Sequence, residues 1–225
     1  EVTGKTLGII GCGNIGSIVA NRALGLHFKV IVFDPFLQID RAKEMGVEKV
    51  ELNDLFKRSD FITLHTPLTE KTKNIINKDS FKIMKKGVRI VNCARGGLVD
   101  EDALKENLES GQVASAALDV FVNEPPKDSA LLGTKNLIMT PHLGASTTEA
   151  QEKVALQVAE QISDYLKTGA ITNAVNTFSL TAKEYNSVKP YLKLTEQLGG
   201  FAGQLTENAI KKIEIEFEGQ VAQVN

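Results

Sequence analysis

Three observations predict an α/β fold built on a Rossmann-like, doubly wound parallel sheet. Short apolar runs of strand length alternate with segments of helical period through most of the chain. The runs are apolar on both faces, as expected of parallel strands covered on two sides. A glycine-rich turn, Gly11-Cys12-Gly13-Asn14-Ile15-Gly16, joins the first run to the first helical segment. Ligands of such sheets bind beyond the carboxyl ends of the strands, so polar residues that follow apolar runs are the candidate functional ones.

Taken in order, residues 6–10 read as a buried strand. Residues 15–26 read as a helix with an apolar face of Ile15, Ile18, Val19, Ala23 and Leu26. Residues 30–33 form the next strand, and 41–45 a short helix ended by Gly46. Strands follow at 61–64 and 88–91, with a helical stretch around 79–84 between them. Asp100 is placed to cap a helix that ends at Gly111. Residues 113–120 and 137–140 complete the strand series.

Ser146 and Glu149 fit a capping box that opens a long helix. Its apolar stripe is Ala150, Val154, Val158, Ile162 and Leu166, and Gly169 closes it. The polar stretch 170–189 reads as a linker. Beyond it, Tyr191, Leu194, Leu198, Phe201 and Leu205 mark an amphipathic helix, and Ile213, Ile215 and Phe217 alternate with glutamates like a half-buried strand. One helix and one or two strands do not close a core. The expected division is therefore a dinucleotide-binding domain with its crossover helix over 1–176, then a linker and the truncated start of a small α+β module over 177–225. Because the sequence opens at Glu1 without a signal peptide, it reads as a piece of a longer protein.

Composition narrows the function classes. At 42% hydrophobic and 24% charged residues the chain can bury a substantial core. The net charge of -2 is spread among interspersed residues, which argues against a nucleic-acid partner or an electrostatic membrane anchor. The apolar runs are too short for a transmembrane helix. Cys12 and Cys93 form neither a CxxC motif nor a metal-ligand spacing, so no metal site and a reduced, cytoplasmic setting are expected.

The glycine turn gains specificity from its context. A strand precedes it, a helix opens inside it, and Asp34 ends the next strand, 18 residues after Gly16. Gly11 permits the tight turn, Gly13 the approach of a pyrophosphate, and Gly16 close packing of helix on sheet. The amides of Asn14 and Ile15 then face an anion at a helix N-terminus. A carboxylate at Asp34 accepts from ribose hydroxyls and repels a 2′-phosphate, which favours NAD over NADP.

Three polar residues stand at later strand ends. Arg95 follows Val-Asn-Cys-Ala, Glu124 follows Leu-Asp-Val-Phe-Val-Asn, and His142 follows Leu-Ile-Met-Thr-Pro. Each alone has a plainer use: Arg95 as a helix cap or partner of Asp100, Glu124 as a solvated loop acid, His142 as a structural imidazole. Behind a dinucleotide site they form a chemical set. A guanidinium fork matches a substrate carboxylate. An imidazole exchanges a proton near neutral pH, and a glutamate partner orients it and favours its charged form. Cys93, close to Arg95, reads as a small residue filling a strand end rather than as a redox-sensitive thiol.

These residues carry a family resemblance. The glycine turn with Asp34, His65-Thr-Pro-Leu68, Asn92-Cys-Ala-Arg-Gly-Gly97, Leu118-Asp-Val-Phe121, Asn123-Glu-Pro-Pro126 and Pro141-His-Leu-Gly-Ala-Ser146 resemble, in order, the motifs of the D-2-hydroxyacid dehydrogenases. The resemblance covers residues 1 to about 176 and implies Arg95 as substrate-binding arginine, Glu124 as orienting acid and His142 as proton donor. It also implies pyrophosphate contacts at Asn14 and Ile15, ribose contact at Asp34 and an adenosine-side contact at Thr66. Cys93, Ala94, Arg95, Asp119, His142, Gly144 and Ala145 would surround the nicotinamide, with Asp119 holding the carboxamide. Asn14 departs from the family, which often has arginine there. Residues 177–225 resemble the intervening segment of the longer members, which oxidise a phosphorylated three-carbon hydroxy acid on the way to serine. The implied partner is a small 2-hydroxy acid, and by analogy a second copy or more of the chain, as homodimer or homotetramer. Two rival functions remain: a glyoxylate or hydroxypyruvate reductase, and a corepressor-like dinucleotide sensor on the same fold.

Overall fold

The computed structural model describes residues 1–174, 176, 179–205 and the single positions 212, 214, 216, 218 and 219. The strand expected at Ile213, Ile215 and Phe217 lies outside the described residues. Two compact units are present, Glu1–Thr147 and Thr148–Asn225.

The first unit is organised on seven parallel strands: β1 (Thr6–Ile10), β2 (Lys29–Phe33), β3 (Glu48–Lys49), β4 (Phe61–Leu64), β5 (Val88–Asn92), β6 (Val113–Leu118) and β7 (Leu137–Met139). Their spatial order is β3-β2-β1-β4-β5-β6-β7. The order reverses between β1 and β4, and such switch points open a crevice at the carboxyl ends. Consecutive strand residues point to opposite faces, so Ile9, Val30 and Val32 enter one core and Ile10, Ile31 and Ile62 the other. Helices α1 (Asn14–Gly25) and α2 (Ile39–Glu44) contribute Ala20, Ala23 and Ala42 to the first core. Helices α3 (Leu52–Arg58), α4 (Lys78–Ile83) and α5 (Glu101–Glu109) contribute Leu55, Phe81 and Leu104 to the second. Asp100 caps α5 as expected, its carboxylate accepting from the Ala103 amide at 3.0 Å.

Several elements differ from the sequence expectation. The buried face of α1 is Gly16, Ala20 and Ala23, whereas Ile15 and Ile18 are exposed. Close approach selects the small residues: an ideal Cβ on Gly16 would stand 2.1 Å from the Gly11 carbonyl oxygen. Both β3 and α3 were missed, the first because two residues make no apolar run. Ser146 does not cap the long helix. Its hydroxyl donates to the His142 carbonyl at 3.1 Å, and α6 (Thr148–Thr168) begins beyond it.

In the second unit, α6 leaves Val154, Val158, Ile162 and Leu166 exposed. The stretch read as a linker holds the start of α7 (Ala182–Gln204). Thr181 and Glu184 form a reciprocal capping box, with the Thr181 amide donating to Glu184 at 2.8 Å, and the helix continues through Pro190. The polar composition of these turns hid a helix whose start signal was legible.

Candidate active site

The cofactor half of the site lies on β2, β1 and β4. The turn after β1 is wedged against the loop after β4, since a Cβ on Gly11 would lie 2.5 Å from the His65 carbonyl oxygen and 3.0 Å from the Thr66 nitrogen. Thr66 is thereby set beside the glycine turn. Around Gly13 there is open space within 4 Å. α1 opens at Gly13 without a side-chain cap and without an acidic residue in its first turn. Its leading amides and dipole are left for an anion, with Asn14 and the exposed Ile15 at the mouth. Asp34 is held at the end of β2 by accepting from the Cys12 amide at 2.7 Å and the Phe36 amide at 2.8 Å. The ring of Phe36, which sequence reasoning did not single out, is 89% exposed beside it. An open glycine, an uncapped helix start and a fixed carboxylate together fit a dinucleotide.

The other half lies on β5, β6 and β7, three adjacent strands whose ends carry Arg95, Glu124 and His142. The Arg95 turn is tied by buried Asn92, whose side chain donates to the Arg95 carbonyl at 2.9 Å and accepts from the Ala94 amide at 3.0 Å. Arg95 is exposed, and its side chain donates to the Ala94 carbonyl at 2.6 Å. Among the described residues it pairs with no carboxylate, Asp100 included. That leaves most of the guanidinium fork available to an incoming anion.

Glu124 and His142 meet directly. His142 Nδ1 and Glu124 Oε2 are 2.7 Å apart, and the Phe121 amide donates to Glu124 Oε1 at 3.0 Å. The imidazole contact and then this amide hold the Glu124 carboxyl below its ordinary range. With Nδ1 engaged, Nε2 is the nitrogen left to exchange a proton. His142 itself adopts a left-handed conformation, φ 56°, in a turn tied by Asp119.

Asp119 is more committed than the sequence suggested. Its Oδ1 accepts from the Thr140 hydroxyl at 2.5 Å and the Leu143 amide at 2.8 Å, and Oδ2 from the Gly144 amide at 3.2 Å. Burial pushes its carboxyl up, but these donors outweigh burial and hold it low. It staples both sides of His142 to the end of β6, and Oδ2 keeps room for one further donor. Sequence reasoning did not single out Asn92 and Thr140, because their roles depend on partners that only folding brings near. Cys93 is exposed at the mouth, with Ala94 beside it. Partial covering of its sulfur and then the Asp119 carboxylate push its thiol up, away from a reactive thiolate. Ala145 is exposed in the turn after Gly144.

The fold and these loops define a Rossmann-like dinucleotide-binding domain with an imidazole–carboxylate pair beyond the ends of β6 and β7. Residues 1–144 match the family described as D-isomer specific 2-hydroxyacid dehydrogenase, NAD binding domain. The chain belongs to that family and carries its NAD-binding domain. Residues 187–225 match the D-3-phosphoglycerate dehydrogenase intervening domain. The chain is 46% identical to a D-3-phosphoglycerate dehydrogenase of Bacillus subtilis, with 100% of this chain and 43% of that protein covered. It is 47% identical to the one of Methanocaldococcus jannaschii, with 99% and 43% covered. It thus spans less than half the length of these relatives.

Among solved structures, a glyoxylate reductase from Paecilomyes thermophila is similar at 38% identity and TM-score 0.70, over 77% of this chain and 53% of that one. A D-lactate dehydrogenase from Aquifex aeolicus, complexed with NAD and lactic acid, is similar at 34% identity and TM-score 0.65, over 72% and 54%. No described helix is long and apolar enough to cross a membrane.

Proposed function

We propose that this chain is the cofactor-binding part of an NAD-dependent dehydrogenase that oxidises D-3-phosphoglycerate to 3-phosphohydroxypyruvate, a step of serine biosynthesis. The observation that carries the proposal is the 2.7 Å contact between His142 and Glu124, in loops beyond β6 and β7, beside a β5 loop whose Arg95 pairs with no carboxylate among the described residues. Arg95 holds the substrate carboxylate through its guanidinium fork. His142 Nε2 takes the proton of the C2 hydroxyl, and Glu124 stabilises the imidazolium that results. NAD, when bound, supplies the hydride acceptor. In the reverse direction the same imidazolium returns the proton to the carbonyl oxygen. Asn14 and Ile15 offer amides to the pyrophosphate, Asp34 and Thr66 line the adenosine side, and Asp119 Oδ2 accepts from the carboxamide.

Full-length relatives carrying this name, and the intervening-domain match, favour the phosphorylated substrate over glyoxylate. The proposed division is 1–176 and 177–225; the two family matches fall on either side of that boundary, and the compact units part earlier, at Thr147. A homo-oligomer is part of the proposal, supported by the exposed stripe on α6. So is a reduced, cytoplasmic setting, supported by two free thiols. In the full-length enzyme, His142→Ala should lower turnover by about 10²-fold or more while NADH still binds. Unchanged turnover would remove His142 from the chemistry. Absence of turnover on every 2-hydroxy and 2-keto acid, with tight NADH binding, would favour the sensor function.

A further inference from the structure

We propose that Glu101, on the first turn of α5, is a positioning residue that sets the Glu124 carboxylate against His142. The proposal rests on the dehydrogenase function above. Glu101 Oε1 accepts from the Val122 amide at 2.8 Å, and Oε2 accepts from the Ser129 hydroxyl at 3.3 Å. One carboxylate from a neighbouring helix thus bridges both flanks of the loop that holds Glu124. Ser129 is itself anchored, its hydroxyl accepting from the amide of fully buried Leu131 at 3.2 Å.

The contact acts on one peptide plane. The Phe121–Val122 peptide turns its N–H to Glu101 and its carbonyl to Gly96, where an ideal Cβ would lie 1.8 Å from the carbonyl oxygen. In a trans peptide these two groups point to opposite sides. The plane is therefore fixed on both edges, by a hydrogen bond on one and by close packing on the other. The preceding amide, that of Phe121, is the one that donates to Glu124 Oε1 at 3.0 Å. If the plane rotates, the chain leaves Phe121 in another direction and carries Glu124 away from that amide. Glu124 then loses the bond that orients its other oxygen toward His142. Nothing in the spacing of Glu101 and Glu124 announces the link, because the bridge runs from α5 to the end of β6.

A carboxylate in a first helical turn also favours the helix dipole, so the test separates reach from charge. Glu101→Gln keeps an acceptor at the same distance and removes the charge, and the Ser129 hydroxyl can accept from its amide. Glu101→Asp keeps the charge and the helix start but is one methylene too short to bridge both partners. In the full-length enzyme, Asp should lower kcat by about tenfold or more, with KM for the hydroxy acid and for NAD within about threefold. Gln should keep kcat within about threefold of wild type. Hydrogen exchange at the Val122 amide should quicken by about tenfold in Asp and not in Gln. This readout needs no turnover, so it stands apart from the functional proposal, which the wild-type enzyme tests alongside. Wild-type kcat and exchange in Asp, or a larger loss in Gln than in Asp, would overturn the role of Glu101.

Discussion

Gly96 is the narrowest joint between the Arg95 turn and the Glu124 loop, and Gly96→Ala tests whether that joint governs chemistry. The new Cβ would lie 1.8 Å from the Phe121 carbonyl oxygen, 2.2 Å from its carbon and 2.8 Å from the Val122 nitrogen. Contact at about 3.2 Å requires the two loops to part by about 1.4 Å, and all three atoms in the way are backbone. Such overpacking costs about 1–3 kcal/mol of stability. For a domain of this size that lowers Tm by roughly 2–4 °C per kcal/mol. The larger effect is on rate. A shift of about 1 Å in a reacting group costs about 10²-fold, and Arg95 and Glu124 would be displaced relative to each other. Steady-state kinetics of the full-length variant should show kcat down by about 10²-fold, with melting by calorimetry a few degrees lower. NADH affinity, read by fluorescence titration, should fall by less than kcat, because the proposed adenosine and pyrophosphate contacts at Gly11–Gly16 and Asp34 lie beyond β4. A variant with unchanged kcat and Tm, or one whose whole defect is in NADH affinity, would refute the account.

Two further perturbations address the cofactor side and the His142 turn. Asp34→Ala should shift the NADPH-to-NADH affinity ratio by at least about tenfold toward NADPH, since the carboxylate proposed to repel a 2′-phosphate is removed; an unchanged ratio in competitive titrations would place discrimination elsewhere. Asp119→Asn sets an amide donor against the Leu143 or Gly144 N–H and should cost about 1–3 kcal/mol with a loss of kcat. Its pH dependence has a definite sign. Asp119 is depressed in the folded state, so its contribution is fully present above the unfolded value of about 3.9 and is lost as pH falls through the folded value. The Tm gap between wild type and Asp119→Asn should therefore be constant from pH 8 to about 5 and shrink below about pH 4; a gap that widens in acid would be evidence against the stapling carboxylate.

What was legible in the sequence has a common physical origin. Arg95, Glu124 and His142 each follow an apolar run, and the crevice of a parallel sheet lies where its strands end, so three polar exceptions there together mark a candidate site. The glycine turn was legible because Gly16 must be small where the helix touches the Gly11 carbonyl. Illegible were the features whose partners are set only by folding. α1 turned its small residues to the sheet and left Ile15 and Ile18 exposed, because backbone approach outranked side-chain hydrophobicity at that contact. Asp119 stands out in sequence only as an expected cofactor ligand, and three of its acceptor bonds also serve the turn that carries His142. Thr140, Asn92 and Glu101 are ordinary polar residues in sequence and become specific through partners on other loops. The proposed reacting groups thus break the sequence pattern, as Asp119 also does, while Glu101 and Thr140, which help to hold the site, conform to it. A single sequence exposes the first kind directly. The second kind has to be traced bond by bond from the imidazole outward, through Glu124 to the Phe121 amide and from there to Glu101 and Gly96.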